Sequence, residues 1–149
     1  MRYRSGHNGG ASKASCPERG PWVRIPPSPP VGKRFNMRFT LRSKIHNAIV
    51  TDADLKYIGS ITIDENLVEK AGFWTGEKVL VVSNTSGARL ETYIIIGERG
   101  SGVICMNGAA AHLIKKGDEI IVMGFELSDK PLKPINILVN KNNKFIRYL

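Results

Sequence analysis

At 149 residues the chain has one domain's worth of material, and its 42% apolar content is enough for a packed core. No apolar run is long enough to suggest a membrane span, so a helical membrane protein is excluded. The net charge of +9 invites a nucleic-acid reading, but residues 1–36 carry seven Lys/Arg against one acid and residues 37–149 fifteen against twelve. The folded part is therefore nearly balanced, and it lacks the interleaved aromatics that stack on bases, so no nucleic-acid partner is expected.

Residues 1–36 hold six of the eight prolines and five glycines, with scarcely any apolar periodicity. Such a stretch cannot bury a face and reads as a disordered leader or upstream extension. It lacks the apolar core of a secretory signal, and Pro26, Pro27, Pro29 and Pro30 oppose the amphipathic helix of a transit peptide. Cys16 in the leader and Cys105 in an apolar run make no disulfide framework, which fits a reducing cytoplasm. With three scattered histidines they make no zinc set either, so no metal is expected.

From Arg38 to Thr51 the pattern is strand-like, with Phe39, Leu41, Ile45, Ile49 and Val50 among polar residues. Thr51 to Asp54 reads as a turn, and Ile61-Thr62-Ile63 as a β-branched strand. Asp64 suits the N-cap of a short helix with Leu67, Val68 and Ala71 on one face and Gly72 at its end. Lys78–Ser83 and Arg89–Ile96 form a predicted hairpin around the turn chemistry of Asn84 to Gly87. Gly97 to Gly102 is a glycine-rich loop, Val103 to Met106 a short strand, and Gly108 to Leu113 a helical turn. After the turn Lys116-Gly117-Asp118 come strands at Glu119–Phe125, Ile135–Val139 and Phe145–Tyr148, the last two joined by the turn at Lys141 to Lys144. Many short strands with few helices predict a small, mainly-β barrel.

The segment Tyr57-Ile58-Gly59-Ser60 sits between two of these strands. Glycine leaves its carbonyl uncovered, and a serine hydroxyl lies one short path from the carbonyl before it. If the fold strains that bond and a donor polarises the carbonyl, the Ser60 hydroxyl can attack it and turn the amide into an ester. Elimination then breaks the chain after Gly59 and leaves dehydroalanine, which hydrolyses to a pyruvoyl group. Gly-Ser is equally an ordinary turn pair, and it recurs at Gly100-Ser101, which reads as a loop.

The blocks Ser43-Lys44-Ile45-His46, Val50-Thr51, Ala53-Asp54-Leu55 and Tyr57 to Asp64 resemble the aspartate 1-decarboxylase family, pyruvoyl enzymes that make β-alanine. Asn84 to Tyr93, Gly97 to Gly102 and Asn107 to His112 agree in order and spacing, so the resemblance runs from Met37 to about Phe125. Phe39-Thr40 departs from the family's polar-then-apolar pair, the leader has no counterpart, and the last twenty or so residues match only vaguely. The fold the resemblance implies is a double-psi β-barrel assembled as a homo-tetramer, with residues 37–149 as the catalytic domain.

Taking carbon dioxide from an amino acid leaves a carbanion that no ordinary side chain can absorb. No nucleotide loop or pyridoxal-phosphate pattern is visible, and the resemblance implies instead a covalently bound pyruvoyl group made from Ser60. Its ketone would take the amine of L-aspartate as a Schiff base, and the product would feed pantothenate and coenzyme A synthesis. By the same resemblance Tyr93 is the acid that reprotonates the α-carbon, and Thr92 polarises the Gly59 carbonyl and later lies against substrate. Arg89 and Lys44 match positions that hold the carboxylates, one as a planar fork and one as a point charge. Gly108, Ala109 and Ala110 would offer backbone N–H groups to a carboxylate while Asn107 orients the cleavage site. His46 and Tyr57 take supporting positions, and His112 closes the Asn107 to His112 block. Pattern alone reads these residues as surface charge, strand core and an Asn-Gly turn. The sequence leaves both spontaneous scission and scission assisted by a maturation factor open. A non-catalytic barrel that binds nucleic acid, weakened by the charge division, and an uncut binding or scaffold subunit are the alternatives, and glutamate stands as a neighbouring substrate one methylene longer.

Overall fold

The computed structural model describes residues 36–149, so the leader expectation falls, but for Asn36, outside the described residues. The long strand β1 (Arg38–Ile49) runs antiparallel to β7 (Glu119–Ser128) and parallel to β8 (Ile135–Val139). Its inward residues Ile45 and Ala48 are fully buried. Asn47 takes φ 62° where the β1–β7 register slips, a bulge in the left-handed region that asparagine tolerates better than most residues.

The segment Thr51–Asp54, expected as a turn, instead contains a strand, β2 (Asp52–Asp54), parallel to β6 (Ile104–Asn107). The ladder uses only backbone, so the two aspartates can stay exposed, and Thr51 locks the start by bonding Ile104 through both its amide and its hydroxyl. Turn propensity says nothing of such a distant partner. The turn lies just beyond, where Asp54 Oδ1 accepts the Lys56 amide at 2.8 Å.

Strand β3 (Ser60–Asp64) lies between β5 (Arg89–Gly97), parallel, and β6, antiparallel. Strand β4 (Lys78–Ser83) forms the expected hairpin with β5, and β9 (Phe145–Tyr148) closes the order β2-β6-β3-β5-β4-β7-β1-β8-β9. Ile45, Ile61, Ile63, Ile94, Ile104, Ile120 and Ile137 are fully buried in one core. Burying such side chains contributes about 1.5 to 3 kcal/mol each, which makes β3 a fixed rail for the residue at its head. Among the described residues no helix is long and apolar enough to cross a membrane.

Helix α1 (Glu65–Ala71) starts on the expected cap, Asp64, and stops at Gly72 with φ 67°. The buried Asp64 carboxylate also accepts the amides of Gly100 at 2.9 Å and Gly102 at 2.6 Å. The Gly100-Ser101 pair is thus pinned as a turn, with Ser101 exposed and its hydroxyl donated to the Glu98 carbonyl. Burial works against the Asp64 charge, yet the amides of Gly102, Gly100 and Asn66 and the Lys144 ammonium outweigh it and hold the carboxyl below its ordinary 3.8. A depressed folded pKa contributes stability that is present above the unfolded value and is lost as pH falls through the folded one. Urea unfolding across the acid range should therefore show an extra loss of stability below about pH 3.8 that Asp64→Asn flattens. At neutral pH the same variant should be less stable by roughly 2 to 4 kcal/mol, since donors buried around the carboxylate lose a charged acceptor.

Candidate active site

Ser60 opens β3 and is fully buried, directly opposite Asn107 in the β3–β6 ladder. Because antiparallel partners place their side chains side by side, Asn107 Nδ2 donates to Ser60 Oγ at 2.7 Å. The same nitrogen donates to Thr62 Oγ1 at 2.9 Å, and Cys105 Sγ lies 3.2 Å from Asn107 Oδ1. These contacts follow from strand period two: Ser60 and Thr62 on one strand face Asn107 and Cys105 on the other.

The turn before Ser60 is held by backbone contact. Gly108 has φ 63°, and a Cβ built on it would sit 2.8 Å from both Gly59 Cα and the Tyr57 carbonyl oxygen. Only glycine lets the Asn107-Gly108 corner press on Gly59 this closely. The amide of Gly108 is occupied by the Asp54 carbonyl at 2.7 Å, so it is not free for an anion as expected. The amides of Ala109 and Ala110, at the start of α2 (Ala110–Leu113), have no hydrogen-bond partner among the described residues.

A cleft of about 360 Å³ brings together Gly59, Ser60, Thr92, Tyr93, Asn107, Ala109 and Ala110. Thr92 and Tyr93 come from β5, the parallel neighbour of β3; Tyr93 is 40% exposed at the rim, and no hydrogen bond joins Thr92 to the Gly59 carbonyl. Glu91 also lines the cleft, with its carboxylate paired to Lys78 Nζ at 2.7 Å. Glu91 was not among the residues anticipated here; its pairing to Lys78 is a cross-strand contact that only the β4–β5 register reveals.

Lys44, His46, Tyr57, Arg89, Gly108 and His112 do not line this cleft. Lys44 and His46 lie on β1, which β4 and β7 separate from β5 in the sheet order. Arg89 begins β5 on the same exposed strand face as Tyr93, opposite Val82. Tyr57 is half exposed and contributes its carbonyl, not its ring, to the contact with Gly108. His112 sits exposed on α2. Sequence reasoning missed Cys105 and Thr62 beside Asn107; alternation across two adjacent strands was the available signal, but it required knowing that β3 and β6 pair.

A strand-rich domain with a buried hydroxyl held at the wall of an open cleft has the layout of a small β-barrel enzyme. Residues 37–146 match the family model described as aspartate decarboxylase. The chain is 51% identical over 111 residues to the aspartate 1-decarboxylase of Neisseria meningitidis, covering 72% of this chain and 87% of that protein. It is 55% identical over 111 residues to that of Thermoanaerobacter pseudethanolicus, covering 72% and 95%. The chain belongs to the aspartate decarboxylase family. Among solved structures it is similar to a rationally designed double-psi β-barrel protein, at 19% identity and TM-score 0.38 over 53% of this chain and 93% of that one. A computationally designed double-psi β-barrel gives 16% identity and TM-score 0.37, over 58% and 99%. The mainly-β fold with short helices agrees with the small double-psi barrel that the sequence resemblance implied.

Proposed function

We propose that this chain decarboxylates L-aspartate to β-alanine and carbon dioxide, after cutting itself between Gly59 and Ser60 to turn Ser60 into a covalently bound pyruvoyl group. The observation that carries the reading is a buried serine hydroxyl, next in chain to the exposed Gly59, accepting a 2.7 Å hydrogen bond from Asn107 at the wall of a cleft. Family membership supplies the reaction.

In the first stage Ser60 Oγ attacks the Gly59 carbonyl carbon and the Gly59–Ser60 amide becomes an ester with a free amine at residue 60. Loss of a proton from the residue 60 α-carbon expels the Gly59 carboxylate. Water then replaces the resulting enamine nitrogen, which leaves as ammonia. Asn107 holds Oγ on the attacking side, and Gly108 keeps the carbonyl of Gly59 from drifting away. The residues fit the group so formed, because position 60 opens on the cleft and Asn107 brings it a donor. When bound, a pyruvoyl group supplies a ketone that accepts electrons from the breaking carboxylate bond.

In the second stage the chain's own residues bind and protonate. The open amides of Ala109 and Ala110 receive one substrate carboxylate, and Tyr93, at the rim, returns a proton to the α-carbon. Arg89 lies on the Tyr93 face of β5 and offers a fork to the other carboxylate. Lys44, remote from the cleft within one protomer, serves from a neighbouring copy in a homo-tetramer, with His46 beside it in a supporting role. Cysteine usage favours the cytoplasm, and the β-alanine formed supplies pantothenate and coenzyme A synthesis.

Intact mass of the purified chain tests the reading. Two fragments, one ending at Gly59 and one starting with pyruvoyl at position 60, together with β-alanine formed from aspartate, are expected; a single uncut chain overturns it. Arg89→Ala should still cleave but should decarboxylate roughly ten- to a hundredfold more slowly, the loss of one charged hydrogen bond. Full activity in that variant would remove Arg89 from the substrate site.

A further inference from the structure

We infer that Cys105 and Thr62 are positioning residues that fix which way the Asn107 side-chain amide points. The inference rests on the self-cleavage proposed above. An asparagine amide has a donor end and an acceptor end, and its two orientations differ only in partners. Nδ2 has two hydroxyl oxygens in reach, Ser60 Oγ at 2.7 Å and Thr62 Oγ1 at 2.9 Å, and both hydroxyls could donate as readily as accept. Those two contacts therefore leave the orientation undecided. The third contact decides it: Cys105 Sγ lies 3.2 Å from Asn107 Oδ1, against 3.8 Å from the Met106 carbonyl, and a thiol donates where a sulfur acceptor would be poor.

The orientation matters to the attack. With Nδ2 toward it, Ser60 Oγ accepts one hydrogen bond and keeps a lone pair for the Gly59 carbonyl, and its proton passes to the residue 60 nitrogen as the Gly59–Ser60 amide bond breaks. With Oδ1 toward it, the Ser60 O–H would be directed at an amide oxygen, which is too weak a base to take the proton. Thr62 Oγ1 engages the second N–H and stops the amide from swinging out of the ladder.

The thiol must stay protonated to play this part, and its surroundings favour that. Burial pushes its pKa up, and the carboxylates of Asp52 and Asp54 on β2 add to the effect against a lowering backbone contact at Asp54. From β3 it faces only the uncharged Thr62.

The test follows scission of the full-length chain by intact mass over time after refolding. Cys105→Ala should slow it about tenfold, the worth of one buried hydrogen bond, and Cys105→Ser, which restores a donor, should recover most of the rate. Thr62→Val should slow it by a similar factor. As pH rises through the thiol's titration, the ratio of wild-type to Cys105→Ser rate should fall. Equal rates for the alanine and serine variants, whether fast or slow, overturn the inference. A wild-type chain that does not cleave refutes the proposed function instead, and a second measurement then still decides the orientation. In the uncleavable Ser60→Ala background, nuclear Overhauser contacts from the Asn107 side-chain N–H protons to Thr62 should be present with Cys105 or Cys105→Ser and lost with Cys105→Ala. Their persistence in the alanine variant would overturn it.

Discussion

Ser60→Ala should give one intact chain with no hydroxylamine- or borohydride-reactive carbonyl and no β-alanine formation, while the fold survives. The proposed scission passes through Oγ: it is the attacking atom, the ester oxygen and the leaving atom that takes the Gly59 carboxylate away. A methyl group in its place leaves nothing to attack with, so the effect is total rather than partial. Stability should hardly change, because Asn107 keeps its bonds to Thr62 and Cys105 when Oγ is removed. The loss is about 1 kcal/mol, a shift of a few degrees in Tm. A melting curve close to wild type beside an uncut mass would show that missing chemistry, and not misfolding, stopped the reaction. Scission that continues in Ser60→Ala would place the reactive bond elsewhere.

Much of this layout was legible in the sequence, for reasons that differ by element. The helix α1 was legible because its signals are local: a capping aspartate, an apolar face at Leu67, Val68 and Ala71, and a terminal glycine all act within one or two turns. The β4–β5 hairpin was legible because the two strands and their turn are contiguous. Strand β2 was not, since Asp52 and Asp54 are poor strand formers held in place by a parallel partner some fifty residues away. The site divides the same way. Gly59, Ser60, Thr92, Tyr93, Asn107, Ala109 and Ala110, singled out from the motifs, line one cleft. The arrangement of Cys105 and Thr62 around Asn107 depends on a strand pairing that no local pattern encodes. Lys44 and His46 illustrate a further limit, because strand order within one protomer sets them apart from the cleft that the motif spacing associates them with.

Gly108→Ala should abolish or slow scission at least about a hundredfold, a far larger effect than its loss of stability would suggest. Two separate penalties arise at this position. The first is conformational: an L side chain at φ 63° costs on the order of 1 kcal/mol. The second is steric, since the new methyl would lie 2.8 Å from Gly59 Cα and 2.9 Å from Gly59 N, well inside carbon and nitrogen contact distance. Asn107 next to it is anchored in the β3–β6 ladder, so the strain is relieved by moving the free segment, Tyr57 to Gly59. That motion carries the Gly59 carbonyl away from Ser60 Oγ, and a displacement near 1 Å is enough to cost about a hundredfold in rate. Gly76→Ala separates the two penalties, because Gly76 has φ 76° but nothing within 4 Å of the added Cβ. It should lose comparable stability from backbone strain alone and still cleave at the wild-type rate. If Gly108→Ala cleaves as fast as Gly76→Ala, the contact with Gly59 is mere packing, and the carbonyl must be held for attack by some other group.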